Sequence, residues 1–270
     1  MNKLLPRLAL LAASISAPVF ATTTVLDFSG TQYADNFTET SNGDRLSVNS
    51  DALQFSNISS LSGITVYNPV FPSADNTESF SLSVDAKFTT LPTSFGGDSV
   101  GLLTHLNGTT GYLAVFRINK NGSTSQADLH VFEGASTTGS TVGTQVGSTQ
   151  SLISTGGSPT LSADFASNTF YSFNLSIDAS AGTSIAFTAS ILDAGTQSVI
   201  GTFNSIIDNS PTLGGTENKV GLRLGTQGNI NNFTVVDNFT LNTAAIPEPS
   251  AFAALGGLGA LGFALARRRR

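Results

Sequence analysis

The sequence predicts an all-β fold, an antiparallel β-sandwich or jelly roll, flanked by one apolar helix at each end. Three observations predict it. Apolar and polar residues alternate over several interior stretches, as half-buried strands require. Gly, Asn, Asp and Ser punctuate those stretches at short intervals, as turns require. No stretch between the two ends carries a 3.6-residue apolar period.

The N-terminal run comes first. Lys3 and Arg7 form a basic start, Leu8 to Ile15 is apolar, and Val19-Phe20-Ala21 places modest side chains where a signal peptidase cuts. This pattern predicts a secretory signal peptide over residues 1–21, cleaved after Ala21. Pro18 and the strand-like residues that follow argue against a buried helix.

The interior then reads as strand after strand. Phe80, Leu82, Val84, Ala86 and Phe88 alternate with Ser81, Ser83, Asp85 and Lys87. Tyr171, Phe173, Leu175 and Ile177 repeat the pattern, as do Ile185, Phe187, Ala189 and Ile191. Further strands are expected at 24–28, 45–48, 51–55, 63–67, 99–106, 111–118, 127–132, 160–165, 197–203, 219–224 and 233–241. Asn107-Gly108 and Asn121-Gly122 signal tight hairpins. The Gly/Ser/Thr-rich stretch 134–159 reads as a loop or ragged edge hairpin within one sandwich. Val25-Leu26-Asp27-Phe28 is similar to Val235-Val236-Asp237-Asn238-Phe239, so the first and last strands are expected to pair and close the domain over residues 22–245.

The C-terminal run closes the order. Ile246-Pro247-Glu248-Pro249 precedes an uncharged Gly/Ala/Leu stretch, Ser250 to Ala266, and Arg267, Arg268, Arg269 and Arg270 end the chain. As a helix the 17 residues of 250–266 rise about 25 Å, short of a bilayer core of about 30 Å, yet enough to span with local thinning. The arginines fit a cytoplasmic stop under the positive-inside rule. The two ends agree on topology, with the body outside the inner membrane. The prolines hold the segment before the helix extended, the form a protease binds.

This tripeptide, helix and basic tail, in this order at the C-terminus, resembles the PEP-CTERM sorting signal of Gram-negative bacteria, with Ile246 where many members have Val. The resemblance covers residues 246–270. It implies recognition of Pro247, Glu248 and Pro249 by an exosortase, cleavage near them, and transfer of the body to the outer surface or extracellular matrix.

Composition bounds the chemistry of the body. The chain has no Cys, which excludes disulfides, thiolate metal sites and a Cys nucleophile. Residues 22–245 hold six basic residues (Arg45, Lys87, Arg117, Lys120, Lys219, Arg223) and 17 acidic ones, the chain's 18 less Glu248, for a net charge of 6 − 17 = −11. No basic stripe exists to meet phosphates, which argues against nucleic acid as a partner.

From Thr160 onward the chain is similar to laminin-G and concanavalin-A-like jelly rolls. The residues that carry this are Phe170 to Asp178, Ser184 to Asp193, Val220-Gly221-Leu222-Arg223-Leu224 and Val236-Asp237-Asn238-Phe239. The resemblance implies a fold and no particular activity.

Candidate sites are few. His105 and His130 are the only histidines, and no His-Glu-X-X-His or Gly-X-Ser-X-Gly motif accompanies them. Glycoside hydrolysis needs two carboxylates about 5–10 Å apart. The Glu-X-Asp-X-X-Glu run of jelly-roll glucanases is missing, and Glu39, Glu78, Glu133 and Glu217 are scattered. No catalytic residue is assigned. Sugar-binding surfaces use aromatic platforms. There is no Trp, and of Tyr33, Tyr67, Tyr112 and Tyr171, the loop-proximal Tyr67 and Tyr112 are the ligand-binding candidates. Asp27 and Asp237 are the candidates for a calcium ion where the terminal strands meet, although calcium takes six or more oxygens, and no resident cofactor is otherwise expected.

The reading that follows is a non-enzymatic exported surface or matrix protein associated with adhesion or extracellular polysaccharide. A lectin-like carbohydrate-binding module with structural calcium and an atypical polysaccharide hydrolase stay open as alternatives.

Overall fold

The computed structural model describes residues 22–41, 46–56, 62–69, 79–93, 99–138, 141–155, 160–180, 183–212, 219–225 and 233–243. The signal segment 1–21 and the tail 246–270, with Ala21, Ile246, Pro247, Glu248, Pro249, the helix expected at 250–266 and Arg267 to Arg270, lie outside the described residues. Among the described residues no helix is long and apolar enough to cross a membrane.

The compact unit Thr23–Thr243 is built of strands. In chain order these are β1 (Thr22–Leu26), the short helix α1 (Gln32–Asn36), β2 (Phe37–Ser41), β3 (Leu46–Asn49), β4 (Ala52–Ser56), β5 (Ser62–Tyr67), β6 (Phe80–Phe88), β7 (Ser99–Asn107) and β8 (Thr110–Asn121). There follow β9 (Thr124–Ser136), β10 (Thr144–Ile153), β11 (Tyr171–Asp178), β12 (Ile185–Asp193), β13 (Val199–Thr202), β14 (Ile206–Asp208), β15 (Lys219–Gly225) and β16 (Phe233–Thr243). One sheet runs β13-β12-β11-β6-β16-β4-β3, with β1 added to β16 and β14 to β12; the other runs β10-β9-β8-β7-β15-β5-β2.

Local chemistry explains the hairpins. β7 and β8 meet through Asn107↔Thr110, and β8 and β9 through Asn121↔Thr124. Gly108 and Gly122, at φ 59° and 61°, take the left-handed position that a two-residue hairpin loop reserves for glycine. The terminal strands pair as expected, and the Thr23 hydroxyl donates to Asn242 Oδ1 at 2.6 Å.

Alternation explains the core. Leu82, Val84, Ala86 and Phe88 of β6 and Phe173, Leu175 and Ile177 of β11 are all buried. They pack between the sheets with Phe116, Leu129, Phe187, Ile191 and Phe239. Burying each such side chain contributes about 1.5–3 kcal/mol. β7 and β8 do not alternate, because both of their faces are buried. Leu103, Leu113 and Val115 form a second apolar cluster with Ile64, Val66, Leu106 and Ala135.

Three segments differ from expectation. Residues 160–165 form no strand, only an isolated bridge between Thr160 and Ile153. Phe165 is fully buried, and its backbone bonds to side chains instead, its N–H donating to Ser125 Oγ at 2.9 Å and its carbonyl accepting from Lys120 Nζ at 3.0 Å. Residues 206–208 form β14, an unexpected short strand, whereas within 134–159 the edge-hairpin alternative holds, β10 pairing with β9 through a register shift between Val146 and Gln150. Finally, residues 32–41 hold α1 and β2, which no periodicity announced. These two elements build the site described next.

Candidate functional site

The two sheets part where their last strands face each other, β2 ending the seven-stranded sheet and β3 the nine-stranded one. A cleft of about 510 Å³ opens there, lined among the described residues by Tyr33, Ala34, Phe37, Thr38, Glu39, Leu46, Ser47 and Val48. This volume lies within the range of about 300–1,000 Å³ usual for small-ligand sites. Edge strands position its residues: Phe37 turns inward and is buried, while Glu39, two residues on and on the same face, stands at the opening, exposed.

The floor is aromatic. Tyr33 stacks on Phe37 at 5.6 Å between centroids and 21° between planes. Phe37 in turn touches Phe28 at 5.7 Å, Tyr67 at 5.4 Å and Phe239 at 5.5 Å. This cluster fixes the Tyr33 ring, the one tyrosine of the cluster that stays partly exposed.

Polar groups converge on the same ring. The Tyr33 hydroxyl donates to Glu39 Oε1 at 3.0 Å. Glu39 and Thr65 are directly paired across β2 and β5, and the Thr65 side chain, 0% exposed, faces the Tyr33 hydroxyl. Its Oγ1 has no hydrogen-bond partner among the described residues, an uncommon condition for a buried hydroxyl. Burial, reinforced by the Glu39 carboxylate, pushes the Tyr33 phenol well above its ordinary range, so it stays a neutral donor. Beside it the Thr38 hydroxyl donates to Asn68 Oδ1 at 2.6 Å. The cleft therefore offers a ring face, a carboxylate and hydroxyls, the groups that meet the faces and hydroxyls of a sugar.

The expected site residues fall elsewhere. Tyr67 and Tyr112 are buried, at 6% and 1% exposure, so neither presents a ring face to solvent. Tyr67 belongs to the aromatic floor. Tyr112 donates to Asp208 Oδ2 at 2.5 Å and reaches Glu133 Oε1 at 3.4 Å. The fold thus unites two carboxylates that are distant in sequence, and the Tyr112 hydroxyl meets both. Glu133 Oε1 also accepts from the Thr212 N–H and hydroxyl at 2.7 and 2.6 Å. This is an inter-sheet clasp. Glu78 and Glu217 lie outside the described residues.

Asp27 and Asp237 do come near each other, with Asp85 and Asp51. Burial first, then Asp85, Asp27 and Asp51, raise the Asp237 carboxyl above its ordinary value. Asp85 stands directly opposite Asp237 across β6 and β16. Both oxygens of Asp85, and one each of Asp27 and Asp237, accept hydrogen bonds. Asp85 accepts from the Ser172 hydroxyl and from Asn238 Nδ2 at 3.1 Å. Asp27 Oδ1 accepts from the Ser29 N–H at 3.0 Å, and Asp237 Oδ1 from the Asn238 N–H at 2.8 Å. Calcium needs six to eight oxygens, and no group of three or more His, Asp or Glu among the described residues is arranged to hold a metal ion.

The histidines are apart. His105 is 3% exposed, lies between Phe80 and Tyr112 at 5.2 and 6.0 Å, and burial holds it down to about 4. His130 stacks on Phe132 at 6.0 Å and meets Thr149 Oγ1 at 3.1 Å.

Comparison with known proteins bears on both parts of the chain. The sandwich aligns with the carbohydrate recognition domain of Emp46p in its metal-free form at a TM-score of 0.51 and 8% identity, covering 80% of this chain and 92% of that one. It aligns with lectin I from Ulex europaeus, in complex with the methyl glycoside of α-L-fucose, at 0.50 and 12%, covering 83% and 98%. The sandwich is therefore similar in fold to legume-lectin and concanavalin-A-like jelly rolls. The alginate lyase Aly36B aligns at 0.49 and 11%, covering 84% and 98%. No curated protein matches the chain in sequence. Residues 245–270 match the PEP-CTERM protein-sorting motif. The motif marks an exported protein processed by an exosortase.

Proposed function

We propose that this exported protein is a non-enzymatic component of the cell surface or extracellular matrix, and that the cleft between β2 and β3 holds extracellular polysaccharide. The observation that carries this reading is the stacked, partly exposed Tyr33 ring with Glu39 hydrogen-bonded to its hydroxyl. Aromatic faces take up the apolar face of a pyranose, and a carboxylate accepts strong hydrogen bonds from its hydroxyls. Carbohydrate recognition is a property of the Emp46p domain and the Ulex lectin; here it is supported by the cleft, since the shared fold alone licenses no function. The non-enzymatic part is supported by the Glu133–Asp208 pair, both of whose carboxylates meet the Tyr112 hydroxyl. The two processing steps, by signal peptidase after Ala21 and by exosortase near Pro247-Glu248-Pro249, would pass the protein from the inner membrane to the outer surface.

A glycan array probed with the secreted, processed protein tests this, with and without EDTA. Binding in both conditions is expected, because the cleft residues supply their own donors and acceptors. Loss of binding in EDTA would favour the calcium-dependent lectin instead, and absence of binding in both would overturn the reading.

A further inference from the structure

We infer that the cleft selects uncharged or amine-bearing saccharides and rejects polyuronates, an inference that rests on the carbohydrate reading above. Glu39 is the one formally charged side chain among the described lining residues. Its Oε1 accepts the Tyr33 hydroxyl, which leaves Oε2 to accept a hydrogen bond from the ligand, and a carboxylate makes such bonds strongest with hydroxyls or an ammonium. A uronate brought to the same place sets like charge against like charge. Asp35 stands on α1 next to the lining residue Ala34, with its carboxylate at the exposed Thr31 hydroxyl at 2.6 Å, and adds to the repulsion.

Among the described cations three are held by contacts on other strands, and Arg117 and Lys219 stand on β8 and β15. Lys87 lies over the Phe170 ring at 4.6 Å. Lys120 bonds the Phe165 carbonyl, Arg223 bonds the Thr141 carbonyl at 3.1 Å, and Arg117 is paired in register with Asp128. Arg45, which precedes Leu46 in sequence, lies outside the described residues and enters the test directly.

The test titrates the processed protein, and its Glu39→Gln, Tyr33→Ala and Arg45→Ala variants, with a neutral glucan oligomer, a chitosan oligomer and polygalacturonate. Wild type is expected to bind the glucan or the chitosan and to bind polygalacturonate at least about tenfold more weakly. Tyr33→Ala weakens binding at least about tenfold, Glu39→Gln narrows the gap between neutral and anionic chains, and Arg45→Ala leaves the preference unchanged. Polygalacturonate binding equal to that of the glucan, or lost in Arg45→Ala, overturns the charge selection while leaving the carbohydrate reading intact. Absence of binding to all three overturns both. Circular dichroism of each variant separates lost binding from lost folding.

Discussion

Tyr112 of β8 donates its phenolic hydrogen to Asp208 of β14 at 2.5 Å, joining the two sheets by one side-chain bond. Asp208 is 7% exposed, and its other oxygen accepts from the Ser210 N–H at 2.9 Å. Burial, then the hydrogen bond and charge of Asp208, push the Tyr112 phenol far above its ordinary range, so the bond persists across physiological pH. Tyr112→Phe leaves a buried carboxylate without its donor. Such a loss costs about 1–3 kcal/mol. Urea unfolding should show that decrease with an unchanged slope, and Asp208→Asn should cost less because the amide can still accept. An unchanged midpoint in Tyr112→Phe would contradict the clasp.

His105 predicts acid sensitivity. Its folded-state value, about 4, lies below the ordinary 6.5 because burial opposes the charge. Between those values the unfolded chain binds the proton and the folded chain does not, so stability falls as pH drops from 6.5 towards 4. The linked loss is on the order of 3 kcal/mol. Asp237, raised by burial and its acidic neighbours, acts in the opposite sense above pH 3.8: it favours the folded state at low pH, and that stability is lost as pH rises through its folded value. His105→Gln should flatten the decline between pH 6.5 and 4 in thermal melts, and an unchanged pH profile in that variant would assign the acid response to other groups.

The aromatic floor should carry stability as well as shape. Phe239 is 0% exposed and touches Phe37 and Tyr67 at 5.5 and 5.9 Å. Phe239→Ala should cost about 3–5 kcal/mol in chemical unfolding. Tyr33→Phe keeps the ring stack and removes only the bond to Glu39, so its stability should stay within about 1 kcal/mol of wild type.

The sorting motif makes a separate prediction. Replacing Pro247, Glu248 and Pro249 by Ala removes the Pro-Glu-Pro tripeptide of the sorting motif. Cell fractionation should then find the protein held in the inner membrane. Release equal to wild type would show that export does not depend on these residues.

Much of this architecture was legible in the residues, because strand periodicity is a local property. The alternation of Phe80 to Phe88 and of Tyr171 to Ile177 marked β6 and β11, and the Asn-Gly pairs marked the β7–β8 and β8–β9 hairpins. Residues 160–165 read as a strand because Leu161 and Phe165 are apolar for burial in the core, yet Leu161 bonds the Ile153 carbonyl, and Phe165 bonds the Ser125 and Lys120 side chains. The cleft was not legible. Tyr33 sits on a five-residue helix, and Leu46 to Val48 belong to the other sheet. Only the pairing of β2 with β5 and of β3 with β4 places Glu39 and Ser47 at one opening, and such pairings depend on tertiary packing. Tyr67 and Tyr112 adjoin turns in the sequence, yet strand register turns both inward.

The central claim is that the Tyr33 ring and the Glu39 carboxylate hold a saccharide. Isothermal titration of the processed protein with a neutral oligosaccharide that it binds on the array tests it most directly, in wild type and in Tyr33→Ala. Loss of one aromatic stacking face is expected to weaken binding at least about tenfold, with the fold intact by circular dichroism. Equal affinity in wild type and Tyr33→Ala would contradict the claim and place the binding surface elsewhere on the sandwich.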